Sequence, residues 1–419
     1  MTDNTIPDNW KSRFFTIWGG QAISLLGSQL VQFALIWYLT EETNSATTLA
    51  IASMAGLLPQ VLLSPLIGTL VDRWPRRWVM VGADTAVVLA TLLLAYLFWL
   101  EAVTVGHIYL LLFIRAVGGG FHQSAMGASI VLMVPGEQLA RIQGLNQTLN
   151  GGLNLVAAPL GAFLLALLPM QGILAIDALT ALFAIAPLLM LAIPQPLRKE
   201  AAVAQEQTVW QDMRDGFIYI REWPALVIIL LMVMGVNFML TPVASLLPLL
   251  VADHFNGGAL QLGWIQAASA GGMVAGGLLL SAWGGFRRRV VTAMCGLIGI
   301  GAGVFLTGLA PANGFWMALG ATAVSGMMTP ITNGSFGAVL QASIAPEMQG
   351  RVFALIFRAA TAMAPLGLLI AGPLADAVGV RVWYLAGGVV CAAMGLLGFF
   401  IPVVMEFEVR VAVPAVDGV

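Results

Sequence analysis

Gly68-Thr-Leu-Val-Asp72-Arg73-Trp74-Pro75-Arg76-Arg77 closes a long apolar segment with a cluster of arginines. A weaker copy stands at Gly277-Leu-Leu-Leu-Ser281-Ala-Trp283-Gly-Gly-Phe-Arg287-Arg288-Arg289, so the glycine and the tryptophan both recur 209 residues on, half of a 419-residue chain. Two further correspondences fall near the same spacing: Glu137-x-x-x-Arg141 returns as Glu347-x-x-x-Arg351, and Ala158-Pro159-Leu160-Gly161 returns as Ala364-Pro365-Leu366-Gly367. The chain therefore reads as two parallel copies of one unit. Parallel repeats in a bilayer imply a carrier whose path runs between the halves.

Composition sets the solvent. Only 9% of the residues are charged and 59% are apolar, and several apolar runs exceed the roughly 20 residues that a helix needs to cross hydrocarbon. Twelve such runs stand between charged or Pro/Gly breaks, near 14–39, 47–71, 78–100, 107–133, 142–168, 172–193, 224–250, 262–283, 290–310, 314–341, 350–375 and 381–403. They are continuous and do not alternate, which excludes a transmembrane barrel. The first run has no small-residue cleavage site and reads as an uncleaved helix. Two cysteines (Cys295, Cys391) and three histidines build neither a disulfide frame nor a metal site, so no metal and no cofactor is expected. A phosphate-cradling loop ending in Lys-Ser/Thr is missing from the sequence, which argues against ATP hydrolysis.

Loop charge orients the chain. With a cytoplasmic N-terminus, fifteen of the eighteen basic residues face the cytoplasm, only Arg381 faces out, and Arg115 and Arg358 lie within spans. Both termini are accordingly expected in the cytoplasm, in a multi-pass protein of the inner cell membrane whose surroundings are lipid and not nucleic acid. Trp37, Trp99, Trp264, Trp316 and Trp383, with Trp74, Trp78, Trp223 and Trp283, are expected as interfacial belts. The expected domains are 1–193, a six-helix bundle; 194–223, a cytoplasmic linker; and 224–419, a second six-helix bundle. Within the linker Trp210, Met213, Phe217 and Ile220 recur at helical spacing, which predicts an amphipathic helix.

On this pattern the chain resembles the major facilitator superfamily, whose hallmark between the second and third helices reads G-x-x-x-D-R/K-x-G-R-R. Here it stands as Gly68, Asp72, Arg73, Arg76 and Arg77, with Pro75 in place of the usual glycine. Within that superfamily the chain looks like the macrolide-efflux type of drug:proton antiporter, on Phe14-x-x-x-Trp-x-Gly-Gln-Ala-Ile-Ser24, on Val134-Pro135-x-Glu137-Gln138-Leu139-Ala140-Arg141 and on Ile176-Asp177-Ala178. Those cues also fit exporters of siderophores or lipids. The resemblance implies an all-α membrane protein with twelve transmembrane helices in two six-helix bundles related by a pseudo-twofold axis. It also implies a gate at the hallmark, between Asp72 and the start of the eleventh helix with Arg351.

Charges inside spans are costly and mark function. Arg115 lies well inside the fourth span, Asp177 enters the sixth from the same face, and Asp84 lies near the cytoplasmic end of the third. Proton coupling needs a carboxylate whose partner changes between conformations. The candidates are Asp177 with Arg115, then Asp84; a static pair that holds helices together is the plainer alternative. Gln21, Ser24, Ser28 and Gln32 on the first span and Asn237 and Thr241 on the seventh each share a helical face. They are expected to line a central cavity that is otherwise apolar, with Trp18, Phe33, Phe238 and methionines. His107, His122 and His254 lie apart in sequence, with no acid or nucleophile at a useful spacing, so no enzyme is expected.

The expectation is a secondary active exporter of amphipathic or hydrophobic small molecules, exchanged for protons by alternating access and working as a monomer. The rival is a dedicated exporter of one physiological solute such as a siderophore or lysolipid.

Overall fold

The computed structural model describes residues 9–191, 193 and 209–407, and among these the only regular structure is helical. The long helices are α1 (Trp10–Thr43), α2 (Ala46–Arg73), α3 (Arg76–Trp99), α4 (Val105–Met133), α5 (Leu139–Leu167), α6 (Met170–Met190), α7 (Val209–Glu222), α8 (Pro224–Ser245), α9 (Ala259–Trp283), α10 (Arg289–Leu309), α11 (Phe315–Ser343), α12 (Pro346–Val378) and α13 (Val380–Phe400). Apart from the short α7, these match the twelve apolar runs read from the sequence. Eleven are long and apolar enough to cross a membrane. The twelfth, α11, is 29 residues long and carries Thr322, Ser325, Thr329, Thr332 and Asn333. Its threonines return hydroxyls to carbonyls one turn back, as Thr322 does to Ala318 and Thr332 to Met328, so these polar groups are satisfied within the helix.

The chain divides into two compact units, residues 1–43 with 51–206, and 44–50 with 207–419. In the first, α1 packs on α4, α5 and α6, while α3 packs on α4 and α6. Small residues allow this. A Cβ at Gly20 would collide with the Phe183 carbonyl and one at Gly27 with the Thr180 hydroxyl, so α1 and α6 approach backbone to backbone. In the second unit α10 packs on α11 and α13, and α8 on α12 and α13. Gly272 and Gly276 let α9 lie against Ala323 and Met327 of α11, which makes the glycine-rich face of α9 a packing surface.

Two expectations about the surface need correction. Trp37 and Trp383 are not belt residues: they are 4% and 5% exposed, and the Trp383 indole donates to the Met239 carbonyl. An indole placed near a helix end still turns inward where a neighbouring helix offers an acceptor. Trp99, Trp264, Trp316, Trp74, Trp78 and Trp283 are exposed as expected. The predicted amphipathic helix forms as α7, but its stripe splits. Ile220 and Gly216 are buried, Gly216 against the Arg351 backbone, while Phe217 stays exposed. The Trp210 and Met213 side chains, Arg198, Lys199 and Arg410 lie outside the described residues.

One contact ties the first turn of α2. Asp376, near the end of α12, accepts from the Ala46 backbone N–H at 2.6 Å, from Thr47 N–H at 3.0 Å and from the Ser45 hydroxyl at 3.1 Å. A carboxylate on the unpaired N–H groups of a helix start meets both their hydrogen-bonding need and the helix dipole. Asp376→Ala is expected to cost about 1 kcal/mol, the scale of a lost N-cap, read as a lower thermal-unfolding midpoint of the purified protein in detergent. An unchanged midpoint would show that water replaces the carboxylate without loss.

Candidate functional site

The antiparallel hairpin of α3 and α4 builds the site. Asp84 and Thr91 stand seven residues apart on α3, and Arg115 and His122 stand seven apart on α4, so each pair occupies nearly one face of its helix two turns apart. Gly118 sits between them on α4, where an added Cβ would come within 2.7 Å of a Val87 methyl, and this close approach brings the two faces together. The upper rung joins Arg115 to Thr91 and the lower rung joins His122 to Asp84.

At the Arg115 rung, Nη1 lies 2.5 Å from Asp177 Oδ2 of α6 and 3.2 Å from the Thr91 hydroxyl, while Nη2 donates to the Ser28 carbonyl of α1 at 3.2 Å. Ser28 donates its hydroxyl to the other Asp177 oxygen at 3.2 Å, and Thr91 reaches Oδ2 at 3.5 Å. The two charged side chains are only 10% and 4% exposed. The carboxylate is thus bonded at both oxygens, and the pair links α1, α3, α4 and α6.

At the other rung, His122 Nδ1 lies 2.9 Å from Asp84 Oδ1, close enough for an ion pair but misaligned for a hydrogen bond. Asp84 Oδ2 and His122 Nδ1 are left buried without hydrogen-bond partners. The sequence reading missed this contact and set His122 aside. The signal that would have found it is the matched seven-residue spacing on the two arms of the hairpin. The other histidines do structural work: His107 Nδ1 accepts from the Thr104 backbone N–H, and His254 Nε2 donates to the Ala310 carbonyl.

Both rungs open on a cavity of about 670 Å³ inside the first unit. Its wall mixes apolar side chains, among them Leu25, Val87, Val88, Met126, Ile130 and Leu149, with amides and hydroxyls. Gln21, Gln29, Gln60, Gln123, Asn146 and Asn150 line it with Ser24 and Ser28, and of the expected aromatics only Trp18 is present, its indole donating to Asn146 at 2.7 Å. Phe33 turns instead against Gly161 of α5 and is buried. Gln21, Ser24 and Ser28 line this cavity of the first unit, while Gln32, further along α1, does not. Asn237 lines a smaller cavity of about 230 Å³ in the second unit, with its amide donating to the Val233 carbonyl, and Thr241 lies outside that lining.

The hallmark residues separate by role. Gly68 lies near the end of α2 with open space where a Cβ would stand, and Asp72 and Arg73 are exposed. Arg76 is buried and donates to the Ala128 carbonyl of α4 at 2.8 Å. Arg77 donates to the Leu188 carbonyl at 2.5 Å and to that of Leu189, in the last turn of α6, and lies over the Trp78 ring. The Arg77 cation on the free carbonyls at the C-terminus of α6 is favourable, and the two arginines fasten α3 to both neighbours. Arg351 stands in the first turns of α12, half-buried.

A helical bundle of spans with charges and amides around an internal cavity defines a multi-pass membrane transporter of small molecules. The Major Facilitator Superfamily model matches residues 17–356 and again 229–415, and the chain belongs to that family. It is 34% identical over 389 residues to macrolide efflux protein A of Streptococcus pyogenes, which covers 92% of this chain and 96% of that protein. It is 26% identical over 394 residues to the multidrug efflux pump Tap of Mycobacterium tuberculosis, with 91% of each covered. Among solved structures, the D-xylose-proton symporter superposes with a TM-score of 0.68 at 14% identity, covering 92% of this chain and 96% of that one.

Proposed function

We propose that the chain exports amphipathic or hydrophobic compounds, macrolide-like drugs among them, in exchange for protons by alternating access in the inner cell membrane. The observation that carries this reading is a set of intramembrane charges, Arg115, Asp177 and Asp84, gathered on one internal cavity, since an antiporter needs a carboxylate exposed in turn to each side. Similarity to a macrolide and a multidrug efflux protein supports the substrate class. In this reading Gln21, Ser24, Ser28 and Asn237 contact substrate; Asp72 with Arg351 latches the cytoplasmic side, and Arg73, Arg76 and Arg77 support it. The protein works as a monomer with both termini in the cytoplasm.

The test is uptake of erythromycin, ethidium and an unrelated lipophilic dye into everted vesicles under an imposed pH gradient. Gradient-driven accumulation of several of them is the expected result. Accumulation that ignores collapse of the gradient would overturn proton exchange. Transport of one compound alone would favour a dedicated exporter.

A further inference from the structure

The two rungs of the α3–α4 hairpin are unequal. Asp177 is bonded at both oxygens by Arg115, Ser28 and Thr91, so its charge is balanced in place. Asp84 and His122 face each other at 2.9 Å with a nitrogen and an oxygen still lacking hydrogen-bond partners, both buried. Buried polar atoms without partners are rare and costly, and they call for an explanation at the site. A proton supplies one. Bound at Nδ1, it makes the imidazolium a donor to the carboxylate, and a small rotation turns the misaligned contact into a charge-assisted hydrogen bond. When the proton leaves, the carboxylate keeps its charge and both groups are free to bond to water or substrate.

We propose that Asp84 and His122 together form the proton-binding site of the first unit, with Arg115–Asp177 as the fixed brace that holds its helices. This rests on the antiport reading above and assigns its proton to a histidine–carboxylate pair. The step moves one proton between water in the cavity and the pair, with no bond made or broken beyond N–H. The charged groups that face the pair from the helices packed on this hairpin are Arg115 of α4 and Asp177 of α6. They lie two turns away, about 10 Å along the hairpin at 1.5 Å per residue, and are bonded to each other. The cavity lining contributed by α1, α2 and α5 carries amides and hydroxyls, such as Gln21, Ser24, Gln60 and Asn146, and no charge. Gln21 Nε2, also buried without a partner, provides a further donor on the same cavity.

Two measurements test the pair. The chain has three histidines, so the purified full-length protein with labelled imidazole carbons gives three resolvable signals, and the one absent from His122→Gln is that of His122. It is expected to respond to pH, and its response is expected to change in Asp84→Asn but not in Asp177→Asn. A His122 signal that does not titrate, or that titrates identically in Asp84→Asn, overturns the proposal, and this arm needs no substrate. In everted vesicles, His122→Gln and Asp84→Asn should each lower gradient-driven ethidium accumulation at least about tenfold, and the double variant should be no worse than either, as for residues that act as a unit. Losses that multiply in the double variant, or accumulation that survives either change, also overturn it. A wild-type protein that accumulates nothing under a gradient would sink the antiport reading, while the titration would still decide the pair.

Discussion

Arg115→Ala is expected to abolish transport and to reduce the yield of folded protein, more severely than any change to Asp177 itself. The side chain makes three contacts at once, to Asp177, to the Thr91 hydroxyl and to the Ser28 carbonyl, and so joins α4 to α6, α3 and α1. Removing it strands a carboxylate that is 4% exposed, and deleting one member of a buried ion pair costs about 3–5 kcal/mol. Asp177→Asn is milder because the neutral amide keeps the shape, needs no counter-charge, and its one oxygen can still accept either from Ser28 or from Thr91 and Arg115. Arg115→Lys separates charge from geometry: an ammonium restores the charge, but one nitrogen on a flexible stem cannot span Asp177 and the Ser28 carbonyl as the guanidinium does. Its expected activity is intermediate. Fluorescence-detected size exclusion reports folding and vesicle uptake reports transport. Arg115→Ala protein that elutes normally and keeps more than half of its uptake would show that the pair is dispensable.

Asp72→Asn is expected to lower uptake by about tenfold, the scale of a conformational coupling of 1–3 kcal/mol, with little change in folded yield. Asp72 is exposed at the end of α2, where the helix dipole disfavours an anion, so its stability contribution is small and any large effect must come from a change of state. Its counterpart in the repeat is Ser281, whose hydroxyl returns to the Gly277 carbonyl within its own helix. Ser281→Ala should therefore be close to neutral. Equal and mild losses in both variants would reduce Asp72 to a solvated carboxylate at a helix end. Arg76 and Arg77 behave differently from Asp72, since both are committed to carbonyls of α4 and α6, and replacing either should act first on stability.

Much of the architecture was legible in the sequence because bilayer thickness sets helix length and hydropathy follows it directly. Each of the twelve runs is a helix whose ends fall close to the predicted ones. Arg115 and Asp177 could be paired from sequence because charges are so scarce inside the spans that each has few partners available. What was not legible depended on rotation about helix axes. Trp37 and Trp383 sit at the right depth for a belt but face inward, and Phe33 sits on the first span but packs on Gly161 away from the cavity. His122 was dismissed on sequence distance from any acid. Its partner Asp84 lies across a helical hairpin, where distance along the chain carries no information and register carries all of it.

That register limits how the gene can change. One residue inserted in α3 between Asp84 and Thr91, or in α4 between Arg115 and His122, would rotate one rung about 100° from its partner and leave the other intact, whereas a residue added in the bend at 101–104 keeps each arm's own spacing. Insertion scanning along this hairpin is therefore a way to disconnect the brace from its neighbouring pair without altering any functional side chain. Natural length variation here should be confined to the bend.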